Sequence, residues 1–219
     1  MSIFACRFFC SWSGGKDSCL ALYQATKAGG IPELLLTMMV EGGERSRSHG
    51  LSLDVLRAQA DAMGIQLVTR SASWTTYEEV FLTAAREFAA QGVRDGVFGD
   101  IDLDDHREWC VRVCSEAGVR AHHPLWKLDR LRAVHTFLDA GFQAYIVATK
   151  DGLDRNLLGR PFDIDAVKSM QDLGIDPCGE EGEFHTVVTG GPLFSRSLSM
   201  TFGEPVFKDG YWFVDSRVR

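Results

Sequence analysis

The chain has 219 residues, 45% hydrophobic and 24% charged, the composition of one globular domain or of one domain with a small appendage. Its net charge of -7 has the wrong sign for an extended phosphate-backbone footprint, so nucleic acid is not an expected partner. Six cysteines without paired spacing do not make a disulfide framework, and the longest apolar run, Leu34–Val40, falls far short of the ~20 residues that cross a membrane.

Arg7 interrupts the apolar start, so no secretory leader is expected and the protein reads as cytoplasmic. Ile3–Trp12 is apolar and aromatic and ends in Ser13-Gly14-Gly15, a strand running into a turn. Ser18–Lys27 reads as a helix stopped by Gly29-Gly30. Glu33–Val40 is the near-continuous apolar run of a strand buried on both faces. A helix over Ser52–Met63 and a strand over Ile65–Arg70 follow. In Tyr77–Gln91 the residues Tyr77, Val80, Phe81, Ala84, Ala85, Phe88 and Ala89 form one helical apolar stripe. The alternation continues with a strand at Gly96–Ile101, a helix at Asp105–Glu116, a strand at Val119–Pro124, a helix at Leu128–Asp139 and a last strand at Phe142–Ala148. Strands separated by such helices imply βαβ units and an α/β, doubly wound parallel sheet.

The texture changes after residue 150. Asp163–Leu173 reads as helix, and Cys178–Pro192 is rich in Gly and Glu. Ser197–Phe202, Pro205–Lys208 and Tyr211–Val214, with an Asp209-Gly210 turn, read as antiparallel strands. The expected division is therefore a domain over 1–150 and a small α+β region over 151–219.

The stretch Ser11-Trp12-Ser13-Gly14-Gly15-Lys16-Asp17-Ser18 links the first strand to the first helix, where open parallel sheets bind ligands. Gly14 and Gly15 allow unusual backbone angles and close approach. The amides of the loop and of the first helical turn, with the helix dipole, make an anion site. Lys16 adds a cation, and Ser13 and Ser18 add hydroxyls. Asp17 is costly beside a bare phosphate, so it holds either the loop or a magnesium ion. The usual phosphate motifs are absent: Asp17 stands where a P-loop has Ser or Thr, and the adjacent glycines break the dinucleotide fingerprint.

Ser13-Gly14-Gly15-Lys16-Asp17-Ser18 resembles the SGGxDS pyrophosphate loop of the ATP-pyrophosphatase (PP-loop) superfamily. Three further stretches resemble one family within it, the diphthine–ammonia ligases. They are Gly99-Asp100-Ile101 with Asp105-His106-Arg107, then Pro124-Leu125-Trp126, then Gly179-Glu180-Glu181-Gly182-Glu183-Phe184-His185-Thr186 with Gly191-Pro192. The resemblance runs from about residue 7 to residue 194, and the Glu-rich motif is its most selective part. It implies a HUP-like five-stranded sheet of order 3-2-1-4-5. It implies an AMP-forming amidoligase that uses ATP and Mg2+, adenylates a carboxylate and transfers ammonia to it. For an archaeal or eukaryotic chain, the implied acceptor is a modified histidine on translation elongation factor two. That family often carries further C-terminal domains, and here the core enzyme is expected to stand alone.

In a 3-2-1-4-5 sheet, strands 1 and 4 meet at the switch point, so Gly99-Asp100 should lie beside the Ser13–Ser18 loop. Asp100 is then a candidate for magnesium or ribose, with helix capping ahead of Asp104-Asp105 as the equal alternative. The expected ATP site is Ser11, Ser13, Gly14, Gly15, Lys16, Asp17, Ser18, His49, Gly99 and Asp100. Lys16, Asp17 and Asp100 are its catalytic candidates, and Asp17 and Asp100 its magnesium ligands. Glu180, Glu181, Gly182, Glu183, His185 and Thr186 are the expected substrate groups, since clustered carboxylates need a cation or solvent to balance them; a solvated acidic loop is the alternative.

His106, Cys110 and Cys114 share a helix face that could seed a zinc site, but Trp109 and Val113 lie on the same stripe, and core cysteines are the preferred reading. Cys6 and Cys10 also read as core, His122-His123 as surface with one of them facing the crevice as the alternative, and Trp74 and Trp126 as packing rather than base-stacking groups. Arg155, Asn156 and Arg160 are candidates for reaching the phosphates. Two rival functions stand beside the ligase. A tRNA-modifying PP-loop enzyme is disfavoured by the negative charge and the absence of C-x-x-C. A non-catalytic nucleotide-binding module is the other. A homodimer is left open as the oligomeric state.

Overall fold

The computed structural model describes residues 2–219. Its first elements are β1 (Arg7–Ser11), α1 (Lys16–Lys27), β2 (Ile31–Met39), α2 (Leu53–Met63), β3 (Gln66–Ser71), α3 (Tyr77–Ala90), β4 (Asp95–Val97), α4 (Asp104–Glu116) and β5 (Arg120–His122). Then come α5 (Arg130–Asp139), β6 (Gln143–Lys150), a 3-10 turn at Arg155–Leu157, α6 (Ile164–Asp172), β7 (Phe184–Gly190), β8 (Met200–Lys208) and β9 (Tyr211–Val218). Two compact units form. One holds the chain through Ser13 with Asp17–Arg47 and Gly64–Lys127; the other holds Gly14–Lys16, Ser48–Met63 and Leu128–Arg219. Among the described residues, no helix is long and apolar enough to cross a membrane.

The first unit contains the five-stranded sheet in the expected order, β3-β2-β1-β4-β5, with every neighbouring pair parallel. Phe8, Phe9 and Cys10 of β1 are all fully buried, as a strand covered on both faces requires. Phe9 meets Phe88 at 5.2 Å between ring centroids, Phe98 at 6.2 Å and Phe81 at 6.3 Å. The stripe of α3 packs into this cluster through Phe81, Ala84, Ala85 and Phe88, and Cys110, Val113 and Cys114 of α4 join it. The cysteines of α4 are thus core residues, as expected. Cys10 is also buried, whereas Cys6 precedes β1 and is only partly covered.

The second unit is built on an antiparallel sheet of order β7-β6-β9-β8. The strand near Phe142 does not extend the parallel series; β6 pairs antiparallel with β7 on one side and β9 on the other. β7 emerges from the stretch read only as rich in Gly and Glu. β8 is one strand, with an irregularity between Phe202 and Pro205 where the sequence suggests two pieces. The Asp209-Gly210 turn is present, with φ of 51° and 83°, the positive pair that a tight hairpin needs. Phe137 stacks on Phe142 at 5.0 Å, and Phe162 meets Phe184 at 5.7 Å, in the core beneath.

Candidate functional site

The strand-to-helix loop is held through its main chain by one backbone amide and two side chains. In the second unit, the Gly14 carbonyl accepts from the Val188 amide at 2.9 Å and from Gln59 Nε2 at 2.9 Å. Gln59 Nε2 also donates to the Val188 carbonyl at 2.7 Å. The Lys16 amide donates to Thr186 Oγ1 at 3.1 Å, so this N–H of the loop is not free to meet an anion. Thr186, expected among the substrate groups, is buried and anchors the loop. Gly14 has φ +82°, and a Cβ there would lie 2.6 Å from Leu51 Cδ1. A Cβ on Gly15 would lie 2.2 Å from His49 Cε1 and 3.1 Å from the Thr186 carbonyl. The paired glycines therefore let the loop seat directly on β7 and His49.

Gln59 was missed in the sequence, although its signal was there: it shares the buried face of α2 with Val55, Leu56 and Ala60. A polar side chain on an apolar stripe signals a buried hydrogen-bonding task. Replacing Gln59 with Leu leaves the Val188 carbonyl and half of the Gly14 carbonyl unsatisfied. It is expected to destabilise the protein by about 1–3 kcal/mol, read from the shift in urea midpoint at constant m.

In the first unit, Ser13 Oγ and Ser18 Oγ lie 3.0 Å apart, and Asp17 is half-buried between them in sequence. A Cβ on Gly99 would come within 2.9 Å of both the Asp17 carbonyl carbon and the Ser18 nitrogen. The expected meeting of the segment after β4 with this loop is therefore present. Ser11 ends β1 and is half-buried. Asp100 does not cap α4, whose N-cap is Leu103 with no side-chain hydrogen bond. Its carboxylate turns instead toward Cys110, whose Sγ lies 3.7 Å from Oδ2, and His123, whose Nε2 lies 3.5 Å from the same oxygen.

The surface reading of His122-His123 is overturned. The His123 side chain is only 5% exposed, stacked on Phe98 at 5.4 Å and edged by Trp126 at 6.2 Å. His122 Nε2 lies 2.6 Å from Asp95 Oδ1, while Arg120 holds the other oxygen of that buried carboxylate at 2.8 Å. Polar letters at a strand end suggest solvent; here the Pro124-Leu125-Trp126 turn folds an indole over the ring. Trp126 itself carries Arg107 at 4.9 Å and Lys127 at 4.6 Å. Trp74, expected to pack, is 76% exposed and carries Arg47 at 4.6 Å. Arg155 lies over Trp212 at 4.5 Å, and the Asn156 amide donates to Asp154 at 2.9 Å.

A column of rings stands beside Gly15 in the second unit. His49 Nδ1 donates to the Thr186 carbonyl at 2.9 Å, its ring is 4.6 Å from His185, and His185 stacks on Tyr211 at 5.7 Å. The Tyr211 hydroxyl donates to the Gly182 carbonyl at 2.9 Å. Burial, then the neighbouring His49 and Lys16, hold His185 well below the usual histidine range. It is neutral at pH 7. The unfolded chain, with an ordinary pKa of about 6.5, takes up the proton first as the pH falls. The contribution of His185 to stability is therefore full above about pH 6.5 and declines below it. In His185→Gln, the slope of urea stability between pH 7 and pH 5 is expected to be shallower than in the wild type.

The acidic loop is partly neutralised from within the chain. Arg130 lies 2.7 Å from Asp176 and 3.5 Å from Glu181, and Glu183 Oε2 accepts from the Glu181 amide at 3.1 Å. Glu180 and Gly182 are half-buried and Glu181 is exposed. This gives the clustered carboxylates one cation that the sequence reading had sought outside the chain.

The chain matches the diphthamide synthase N-terminal domain over residues 6–121 and the diphthamide synthase C-terminal domain over residues 129–218. It is 23% identical over 222 residues to a protein of Schizosaccharomyces pombe named diphthine–ammonia ligase, covering 89% of this chain and 36% of that protein. The chain thus spans about a third of the length of this curated relative. A crystal structure of a predicted subunit of tRNA methyltransferase from Methanocaldococcus jannaschii is similar at 16% identity with a TM-score of 0.47, over 85% of this chain and 98% of that one.

Proposed function

The chain belongs to the diphthamide synthase family, and from that premise we propose that it is an ATP-dependent, AMP-forming amidoligase of the diphthine–ammonia ligase type. The observation that carries this reading is the loop itself, a Gly14-Gly15 turn seated on β7 that presents Lys16 at the start of α1. The substrate carboxylate attacks the α phosphorus of ATP, and pyrophosphate leaves. Ammonia then attacks the acyl-adenylate carbonyl, giving the amide, AMP and a proton. Lys16 and the first turn of α1 hold the β and γ phosphates and balance charge on the leaving pyrophosphate. Because the Lys16 amide is committed to Thr186, the ammonium group rather than that amide is the lysine's contribution.

Magnesium prefers oxygen donors, and Asp17 with the hydroxyls of Ser13 and Ser18 is such a set. When bound there, it would neutralise phosphate charge. Asp100, facing a thiol and an imidazole, suits it less. His49, whose Nδ1 donates to the Thr186 carbonyl beside Gly15, is proposed as a further contact to the nucleotide. Glu180, Glu181, Glu183 and His185 are the groups proposed to receive the acceptor and ammonia. The proposed acceptor is the diphthine histidine of elongation factor two.

The test is to incubate the protein with ATP, magnesium, ammonium and candidate carboxylate acceptors, including elongation factor two bearing diphthine. AMP and pyrophosphate formed in step with amide are expected. ADP and phosphate, or no turnover with any acceptor, would overturn the reading.

A further inference from the structure

We propose that Asp100, Cys110 and His123 form a zinc site in the first unit, distinct from any magnesium held with ATP. The three come from the segment after β4, the middle of α4 and the end of β5, and their ligand atoms all lie within 4.8 Å of one another. They are the group with metal-binding geometry among the described residues. A tetrahedral zinc, with bonds of about 2.0–2.3 Å, needs its ligand atoms about 3.3–3.6 Å apart. Asp100 Oδ2 is 3.7 Å from Cys110 Sγ and 3.5 Å from His123 Nε2, and the remaining pair lies within 4.8 Å, so side-chain rotations would have to close the set.

A second observation is independent of the spacing. His123 Nε2 is buried and makes no hydrogen bond, although its ring is fixed by Phe98 and Trp126. A buried imidazole nitrogen without a partner is costly, and here it points at a carboxylate and a thiol. The Cys110 thiol donates to Asp100, and the His123 nitrogen alone is left without a hydrogen bond. A metal ion accepts a lone pair from all three atoms at once. Thiolate with imidazole selects zinc over magnesium or calcium. Binding releases the Cys110 proton to solvent. Three protein ligands leave a fourth position for water. His106, whose Nδ1 lies 3.8 Å from the other Asp100 oxygen, is mostly exposed. The ion would tie β4, α4 and β5 together without taking part in the ligase reaction.

The test uses the full chain freed of metal and titrated with cobalt(II), a spectroscopic stand-in for zinc. About one cobalt per chain is expected, with a thiolate-to-cobalt charge-transfer band and the intense visible bands of a tetrahedral site, all bleached by zinc. Cys110→Ser is expected to remove the charge-transfer band while Cys114→Ser keeps it. His123→Gln, which preserves size and polarity, is expected to weaken zinc binding at least about 100-fold. Absence of the band in the wild type, or its survival in Cys110→Ser, would overturn the proposal. The wild-type titration decides even where a variant fails to fold, and it does not depend on ligase activity.

Discussion

Replacing Lys16 by alanine is expected to lower kcat/KM for AMP formation by about 10²–10³-fold, the usual cost of removing one preorganised charge from a developing anion. Lys16 is 5% exposed, and its Nζ lies 5.4 Å from the Phe184 ring centroid. The residue is largely out of water, so its charge is expected to act through a low local dielectric. Truncation also removes buried methylenes, so Lys16→Met is the sharper variant: it keeps the stem and deletes the charge. Both variants are expected to lose activity, with Lys16→Met retaining the wild-type urea midpoint more closely. The assay is AMP and pyrophosphate release under saturating and subsaturating ATP. A kcat/KM for Lys16→Met within a few-fold of the wild type would remove the lysine from the reaction.

Gly99→Ala is expected to cost both stability and activity. Its Cβ would meet the Asp17 carbonyl carbon and the Ser18 nitrogen, each at 2.9 Å. These are main-chain atoms at the start of α1 and cannot swing aside as a side chain can. Overpacking of this kind costs about 1–3 kcal/mol. The relief is a shift of the loop, and a misplacement of about 1 Å at a reacting group costs roughly 10²-fold in rate. Gly203→Ala is the control: its added carbon would meet Asp215 Cβ at an ordinary 3.5 Å. Urea unfolding and AMP release measured on both variants separate the two effects. Wild-type stability and rate in Gly99→Ala would show that the close approach is not needed.

Much of this architecture is local in origin. The apolar stripe of α3 follows a 3.6-residue period that tertiary packing reinforces, so it was legible from spacing. β2 announced itself by a continuous apolar run, because a strand between two helical layers has no wet face. Sheet order is implied by the resemblance of the loop to a known family, and with it the approach of Gly99 to Asp17 and Ser18. β6 was different. Its run of small and β-branched residues fits a parallel or an antiparallel neighbour equally well, and its partners lie about 40 and 65 positions further along the chain. Likewise, Thr186, Val187, Val188 and Thr189 are good strand formers, but the glycines and glutamates around them masked the signal of β7.

The candidate site divides along the same line. The amino-acid order alone specified a strand–glycine–lysine–helix junction, since turn conformation and helix-start chemistry depend on neighbours in the chain. It also marked the acidic run and the glycine before Asp100. Only the folded chain could decide that the Lys16 amide belongs to Thr186, that Gln59 holds Gly14 and Val188, that Arg130 meets Glu181, and that Asp100 faces Cys110 and His123. Each of these pairings joins residues at least ten positions apart. A hydrogen bond or ligand set depends on distance and direction in space, which periodicity does not encode.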